Sequence, residues 1–289
     1  MASDLAVYSI RHRTEYHYRQ PVRLGPHRLM LRPRESRDLR LMSSEITTWP
    51  AATLSWAQDV FGNAIATATF EDQASSLIVE SASTLELSSM PWPVFPIAAR
   101  AIQFPFTYSP EERTDLGALL IPQHPDPMGR LSAWASSFVR SNPTDTLALL
   151  KDLNAGISGT ASYQQREGEG TQSPLSTLDL GRGSCRDFAV LFVEAVRTLG
   201  FGARIVSGYL FAPPQQGVSG TTHAWAEVFV PGAGWISFDP TNRQTGGFNL
   251  IPVAVARDLS QAMPVSGTFT GAGDDAVRLI VDVRVTQDA

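Results

Sequence analysis

The chain contains a single cysteine, Cys185, in surroundings that allow it to act as a nucleophile. It follows Gly181-Arg182-Gly183-Ser184 and precedes a stripe of apolar residues at helical spacing that ends before Gly200. We therefore expect Cys185 to begin a buried helix, where free N–H groups and the helix dipole lower the pKa of a thiol. Asp187, in the first turn, is interpreted as a structural residue that complements the dipole. Position alone leaves an inert core cysteine as the alternative, and a partner base would decide between the two.

Two downstream segments supply a histidine and an aspartate that a hairpin would bring together. Residues 222–230 and 235–240 are typical of strands, and Pro231-Gly232-Ala233-Gly234 is typical of the turn between them. An antiparallel pair with this turn places His223 and Asp239 about one to three residues from direct register. The sequence therefore predicts that the two side chains are neighbours.

Together these three residues match the requirements of an activated nucleophile. Cys185 would attack, His223 would accept or share its proton, and Asp239 would fix the tautomer and orientation of the imidazole. Separately, His223 could be a core histidine and Asp239 a turn carboxylate before Pro240. Their combination with a glycine-flanked cysteine at a helix start favours the catalytic interpretation.

The first third of the chain shows the alternation of half-buried strands. Residues 6–19 alternate strictly, residues 54–70 form a second β region interrupted by Asp59-Val60-Phe61-Gly62-Asn63, and residues 77–87 form a third. The interruption contains the Gly and Asn that tolerate positive φ in a hairpin turn. This part is predicted to be an antiparallel β domain with one packed face.

Prolines crowd the segment between residues 90 and 127, which identifies it as a linker. We place the domain boundary near residue 110, which gives an N-terminal β domain over residues 1–110 and a second domain over residues 111–289. The absence of a helical stripe before about residue 128 supports this division.

The second domain alternates helical and extended patterns, which predicts an α+β fold. Apolar spacing predicts a helix from Leu131 that Asn142-Pro143 ends, and another helix after Thr144. Residues 156–174 are rich in small and polar residues and are expected to form an exposed loop. Residues 203–210 are expected to form a strand.

The motifs around the three candidate residues resemble the transglutaminase-like superfamily. The resemblance rests on Gly-x-Gly-x-Cys-Arg-Asp before an apolar helix, Thr-His-Ala-Trp-Ala-Glu-Val, and Gly-Trp-x-x-Phe-Asp-Pro-Thr-Asn, with intervals of the kind that this superfamily shows. It implies a papain-like core in which a helix carries the cysteine and an antiparallel sheet carries His and Asp.

The resemblance extends to both ends of the chain. Residues 14–18, 31–34 and 59–63 are similar to the N-terminal β domain of bacterial transglutaminase-like proteins, a group usually described as cysteine proteases. Residues 256–267 and the alternating residues 277–285 are similar to the closing segment of the same group. We expect the closing strand, with Leu279, Val281, Val283 and Val285 on one face, to complete the core sheet.

The resemblance implies acyl transfer through a thioester on Cys185. The leading hypothesis is a cysteine-dependent hydrolase of amide or peptide bonds that acts on a peptide or protein, and an amine acyltransferase that uses an amine acceptor is the alternative. A catalytically silent peptide-binding module is the hypothesis from another class. The Cys185 N–H is the first candidate oxyanion donor, Tyr163 or Gln164 could supply the second, and Trp225 could wall the cleft or only pack in the core.

Composition excludes several other classes of protein. The chain of 289 residues is 43% hydrophobic and carries a formal net charge of −5, so neither wholesale disorder nor a broad nucleic-acid surface is expected. One cysteine and scattered histidines provide no metal-ligand spacing, and no phosphate loop or EF-hand pattern is present, so we expect no metal and no cofactor. Without a leader or membrane-spanning pattern, a soluble cytoplasmic protein without membrane contact is expected.

Overall fold

The fold is α+β, with an N-terminal antiparallel sheet followed by helices packed on a second antiparallel sheet. It is seen in a computed structural model that describes residues 6–88, 93–166, 170–211, 220–271 and 275–288. No helix within those ranges is long and apolar enough to cross a bilayer.

Five strands begin the chain, and the alternation of their sequences explains how they pack. They are β1 (Ala6–Leu29), β2 (Leu39–Trp49), β3 (Thr53–Gln58), β4 (Ala64–Thr69) and β5 (Gln73–Leu87), in the sheet order β2-β5-β1-β4-β3. The strands expected over residues 6–19, 54–70 and 77–87 are confirmed, and the turn at residues 59–63 joins β3 to β4. No strand was predicted over β2, which lies at an edge of the sheet and is exposed or partly buried except at Leu39.

Within the described ranges, the chain from residue 110 onward contributes five α-helices. They are α1 (Pro110–Leu116), α2 (Arg130–Ser136), α3 (Thr146–Thr160), α4 (Pro174–Leu180) and α5 (Cys185–Thr198). Residues 156–160 lie in α3, so the prediction that an exposed loop begins at residue 156 is wrong there. Ile157 is fully buried on this last turn, and the burial of its side chain outweighs the low helix propensity of the neighbouring glycines.

Short paired strands and a five-stranded sheet complete this half. The short pairs are β6 (Gln103–Phe104) with β7 (Thr144–Asp145) and β8 (Ser162–Tyr163) with β9 (Arg182–Gly183). The sheet contains β10 (Ala203–Leu210), β11 (Thr221–Val230), β12 (Gly234–Asp239), β13 (Gln244–Thr245) and β14 (Leu250–Ala256), in the order β13-β12-β11-β10-β14. The apolar side of α5 packs against β10, β11 and β12 in the largest core of the molecule.

The last two strands return to the N-terminal sheet. β15 (Val265–Thr270) and β16 (Ala276–Asp288) both pair with β1, and β16 aligns Leu279 with Tyr16 and Val285 with Ile10. The expectation that this closing strand completes the core sheet is therefore wrong. Alternation showed that the segment is a strand, but it does not specify which of two antiparallel sheets the strand joins.

Polar side chains of the N-terminal sheet and its β3–β4 turn bond to strands of the second sheet. His12 on β1 shares a hydrogen bond with the hydroxyl of Tyr209 on β10, with 3.0 Å between Nδ1 and Oη, and its Nε2 lies 2.9 Å from Thr14 Oγ1. Asn63 donates its amide to the carbonyl of Val255 on β14 at 2.8 Å and accepts from the Val255 N–H at 2.9 Å. The Asn63 amide thus occupies hydrogen-bonding positions on the edge strand of the second sheet. The boundary near residue 110 stays a prediction.

The burial of His12 predicts that the protein loses stability in mild acid. Burial lowers the pKa of His12 from 6.5 to about 4, so the unfolded chain binds more protons than the folded chain between these pH values. Because of His12, the free energy of unfolding should be about 2 to 3 kcal/mol lower near pH 4 than at pH 7. His12→Gln, which keeps hydrogen-bonding groups but does not titrate, should remove that part of the loss. Urea unfolding at pH 7 and pH 4.5 measures it, and an equal loss in both proteins would contradict the prediction.

Candidate active site

Cys185 is the first residue of α5, as the sequence predicts. Ser184 is the N-cap residue, and the Cys185 side chain is partly buried at the margin of the main core. The N–H groups of a first helical turn have no partner within the helix, so they are available to a thiolate or an oxyanion.

Asp187 holds the start of this helix and the loop before it in place. Its fully buried carboxylate accepts hydrogen bonds from the Ser184 N–H and hydroxyl, both at 2.8 Å, and from the Gln172 N–H at 2.7 Å. It also pairs with Arg166 at 3.1 Å. These are the contacts of a structural residue, in agreement with its interpretation from the sequence.

The β11–β12 hairpin brings His223 and Asp239 together. Ala226 pairs with Phe238, so Asp239 lies level with Trp225, two residues from His223 and within the predicted range. His223 Nε2 lies 2.8 Å from Asp239 Oδ2, and both side chains are buried. His223 also interacts with the Cys185 thiol, and each group shifts the pKa of the other.

Asp239 has further partners that the sequence analysis did not identify. Its Oδ1 accepts from the Thr241 N–H at 3.0 Å and from the Asn242 N–H at 3.3 Å, and the Asn242 side-chain amide donates to Oδ2 at 2.7 Å. The Asp-Pro-Thr-Asn sequence could have predicted these bonds. An aspartate side chain commonly accepts a hydrogen bond from the backbone N–H two residues later, and the bond closes a turn. Buried Asn154 on α3 donates to the carbonyl oxygens of Asp239 at 3.5 Å and Gln244 at 3.1 Å.

The electrostatics favour charged forms of all three side chains. Burial disfavours the imidazolium, but hydrogen bonds and charges from Asp239 and Cys185 outweigh it and raise the pKa of His223 to about 10. Burial also disfavours the thiolate, yet His223, the Ala224 N–H and the charge of Arg186 leave the pKa of Cys185 below its ordinary value. The pKa of Asp239 is likewise lowered, since His223 and Asn242 outweigh its burial. This arrangement can hold a thiolate–imidazolium pair at neutral pH.

The remaining candidate residues occupy different places. The β8–β9 pair aligns Tyr163 with Gly183, close enough to Cys185 for the thiolate charge to contribute, after burial, to a raised Tyr163 pKa. Gln164 is exposed, and its N–H donates to the Gly183 carbonyl at 2.8 Å. Trp225 is only 1% exposed, and its ring stacks beside His223 with 6.2 Å between centroids. Tyr163 and Gln164 thus flank the nucleophile, whereas Trp225 packs beside the imidazole.

The described part of the chain contains no cluster of three or more His, Cys, Asp or Glu side chains that could hold a metal ion. Gly181 and Gly183, which precede the nucleophile, are required by the local backbone and packing. Gly181 adopts φ +59° as the C-cap of α4, and a Cβ at Gly183 would lie 3.0 Å from the Cβ of Asp187.

Sequence comparisons identify the family. The model of the bacterial transglutaminase-like N-terminal region matches residues 8–86, and that of the transglutaminase-like superfamily matches residues 132–240. An uncharacterized protein of Mycobacterium tuberculosis is 30% identical over 297 residues, which cover 96% of this chain and 92% of that protein. An uncharacterized protein of Mycobacterium leprae is 26% identical, with 94% and 96% covered.

A solved structure shares the fold over nearly the whole chain. The crystal structure of a Cytophaga hutchinsonii protein described as a "Putative Cysteine Protease" has a TM-score of 0.75 and 17% sequence identity, and the match covers 99% of this chain and 91% of that one. The chain belongs to the transglutaminase-like superfamily. Its relationships are therefore to cysteine-dependent hydrolases and transferases.

Loss of the Asp187 carboxylate should destabilise the protein. Asp187→Ala removes a helix cap and leaves the partly buried Arg166 without its partner, which should lower the free energy of unfolding by about 2 kcal/mol. Asp179→Ala is the matched control, because it removes an exposed pair with Arg130 and should cost much less. Urea denaturation measures both, and equal midpoints for the two variants would show that Asp187 does not clamp the helix start.

The charge pair should be visible in the reactivity of the thiol. Iodoacetamide should alkylate Cys185 at a rate that is already high well below pH 8.5, the ordinary range of a thiol. His223→Ala removes the cation, so its alkylation should rise only near pH 8.5 or above. Intact mass spectrometry over a pH series measures the rate. A wild-type profile with the midpoint of an ordinary thiol would contradict a thiolate–imidazolium pair.

Proposed function

We propose that the protein is a cysteine-dependent hydrolase of amide or peptide bonds that uses Cys185, His223 and Asp239. The observation that carries this proposal is the buried line of contacts from the Asp239 carboxylate through the His223 imidazole to the Cys185 thiol. Membership of a superfamily of cysteine-dependent hydrolases and transferases supports it.

The residues have complementary roles in the proposed reaction. The Cys185 thiolate attacks the carbonyl carbon of the amide, and His223, as the imidazolium, transfers its proton to the leaving amine as the C–N bond breaks. A thioester remains on Cys185. Neutral His223 then takes a proton from water as the water attacks the thioester, and the thiolate leaves as the acid is released. Asp239 keeps the ring oriented and stabilises its charged form.

The helix start provides a place for the oxyanion. The Cys185 N–H points from the first turn of α5, and such donors stabilise charge that develops on the carbonyl oxygen. Tyr163, aligned beside Gly183 and 55% exposed, is the candidate for the second donor, with exposed Gln164 as its neighbour. A phenol at this position would donate from its hydroxyl.

Exposure around the nucleophile supports hydrolysis over amine transfer. A transferase must hold the thioester and an amine while it limits water, whereas a hydrolase tolerates an open cleft. Among the described residues, Cys185 is partly accessible and both Tyr163 and Gln164 are exposed. Water can therefore approach from this side.

An activated ester tests the proposal without knowledge of the natural substrate. With p-nitrophenyl acetate, the wild type should release a burst of nitrophenolate, and intact mass should show one acetyl group on Cys185. Cys185→Ala should lose the burst, and His223→Ala should slow acylation at neutral pH by at least about a thousandfold. Asp179→Ala should behave like the wild type.

The fate of the acetyl group separates the alternatives. Acetate should be the main product even when a primary amine such as cadaverine is present, and predominant acetyl-cadaverine would instead indicate an acyltransferase. A wild type that is never acetylated, although iodoacetamide labels Cys185, would favour a silent binding module.

A further inference from the structure

Trp225 is held beside the catalytic imidazole by packing alone. Its ring lies 6.2 Å from that of His223, centroid to centroid, with only 23° between the planes. The buried indole N–H has no acceptor among the described residues. No hydrogen bond from that group therefore fixes the ring, and its position depends on the side chains and backbone that surround it.

A glycine on β10, Gly208, leaves room for the indole ring because it has no side chain. Gly208 pairs with His223 across the strands, and a Cβ at Gly208 would lie 2.8 Å from Cη2 of Trp225. The six-membered part of the indole therefore occupies the space beside the cross-strand neighbour of His223. Any outward movement of Trp225 would open space next to the imidazole.

The N-terminal domain also supports Trp225. Trp225 belongs to a buried cluster with Val206, Leu250 and Val255, and Phe61 of the β3–β4 turn packs against this cluster. Val255, Val206 and Trp225 are aligned across β14, β10 and β11, so these three members of the cluster form one row over the sheet. Phe61 is the residue that the N-terminal domain contributes to it.

The turn that presents Phe61 is fixed at several points. Asp59 Oδ1 accepts from the N–H groups of Phe61 and Asn63, both at 2.9 Å. Arg34 donates to the Phe61 carbonyl at 3.2 Å and to Asn63 Oδ1 at 2.6 Å. Asn63 in turn bonds both the N–H and the carbonyl of Val255. The turn is thereby anchored to the same strand that carries one member of the cluster.

We propose that Phe61 is a positioning residue for the reaction, which acts by seating Trp225 against His223 so that the imidazole is aligned between Asp239 and Cys185. The inference deepens the proposed function and rests on it. It gives the N-terminal domain a part in catalysis although Phe61 touches no reacting atom.

Phe61 would act through geometry and not through charge. The charged or titratable groups that face the Cys185–His223 pair are Asp239 from β12, Arg186 from α5, Tyr163 from β8 and each member of the pair itself. Neither Phe61 nor Trp225 adds a charge to this set. A change at Phe61 can therefore alter the titration of the thiol by moving the imidazole relative to its two partners or by changing how far the pair is buried, and it adds or removes no charge.

The test is the pH profile of iodoacetamide alkylation at Cys185 in the full chain, at a temperature where circular dichroism shows every variant folded. Phe61→Ala should raise the midpoint by about one pH unit, which lowers the rate about tenfold at pH values below both midpoints. Phe61→Leu, which keeps most of the apolar volume, should restore the rate to within about twofold of wild type. Val60→Ala is the matched control, because the neighbouring Val60 is 94% exposed and should leave the profile unchanged.

The outcomes separate the two hypotheses. A wild type that reacts at low pH, together with a Phe61→Ala profile that superimposes on it, overturns the positioning role and leaves the proposed function standing. A wild type with an ordinary thiol profile overturns the proposed function itself. If Phe61→Ala does not fold, Phe61→Val replaces it, and an unshifted profile for that variant overturns the positioning role equally. A thermal shift without a change in midpoint would mean that Phe61 serves only stability.

Discussion

The hydrogen bond between His223 and Asp239 is the contact on which the arrangement of the second domain depends. A buried imidazolium or a buried carboxylate alone would be costly, and each is tolerable because the other lies 2.8 Å away. The pairing requires β11 and β12 to keep one register, since a slip of one residue would turn a side chain to the other face. The turn after Asp239 supplies the additional donors that satisfy the carboxylate.

The helix that carries the thiol is held at its start by a second buried carboxylate. Asp187 uses its oxygens to bind the start of α5 and the chain at Arg166 and Gln172. Arg166 and Gln172, on the Tyr163 side of the nucleophile, are thus fastened to the start of this helix. Two carboxylates therefore organise the site, one by orienting a base and the other by holding a helix start.

Much of this could be predicted because the signals are local. A glycine-flanked cysteine before an apolar stripe specifies a helix start, and a turn of four residues brings His223 near Asp239 with little ambiguity. Helices α1 and α4 are too short to show a stripe, although each has a Ser–Pro start. Contacts between distant segments could not be predicted in this way. They are the bond from α3 to Asp239, the packing of Phe61 against the second sheet, and the pairing of β16 with the N-terminal sheet. No periodicity within one segment encodes them.

The return of β15 and β16 to β1 makes the N-terminal sheet discontinuous in sequence, with the whole cysteine-bearing half inserted between its strands. During synthesis on the ribosome, residues 6–29 emerge long before the strands that flank them on one side. Until then β1 presents an unpaired edge, which in other proteins invites association with a second chain. Contacts so distant in sequence also form slowly. The order of translation therefore places the completion of this sheet last, after the helix and hairpin of the site can already have met.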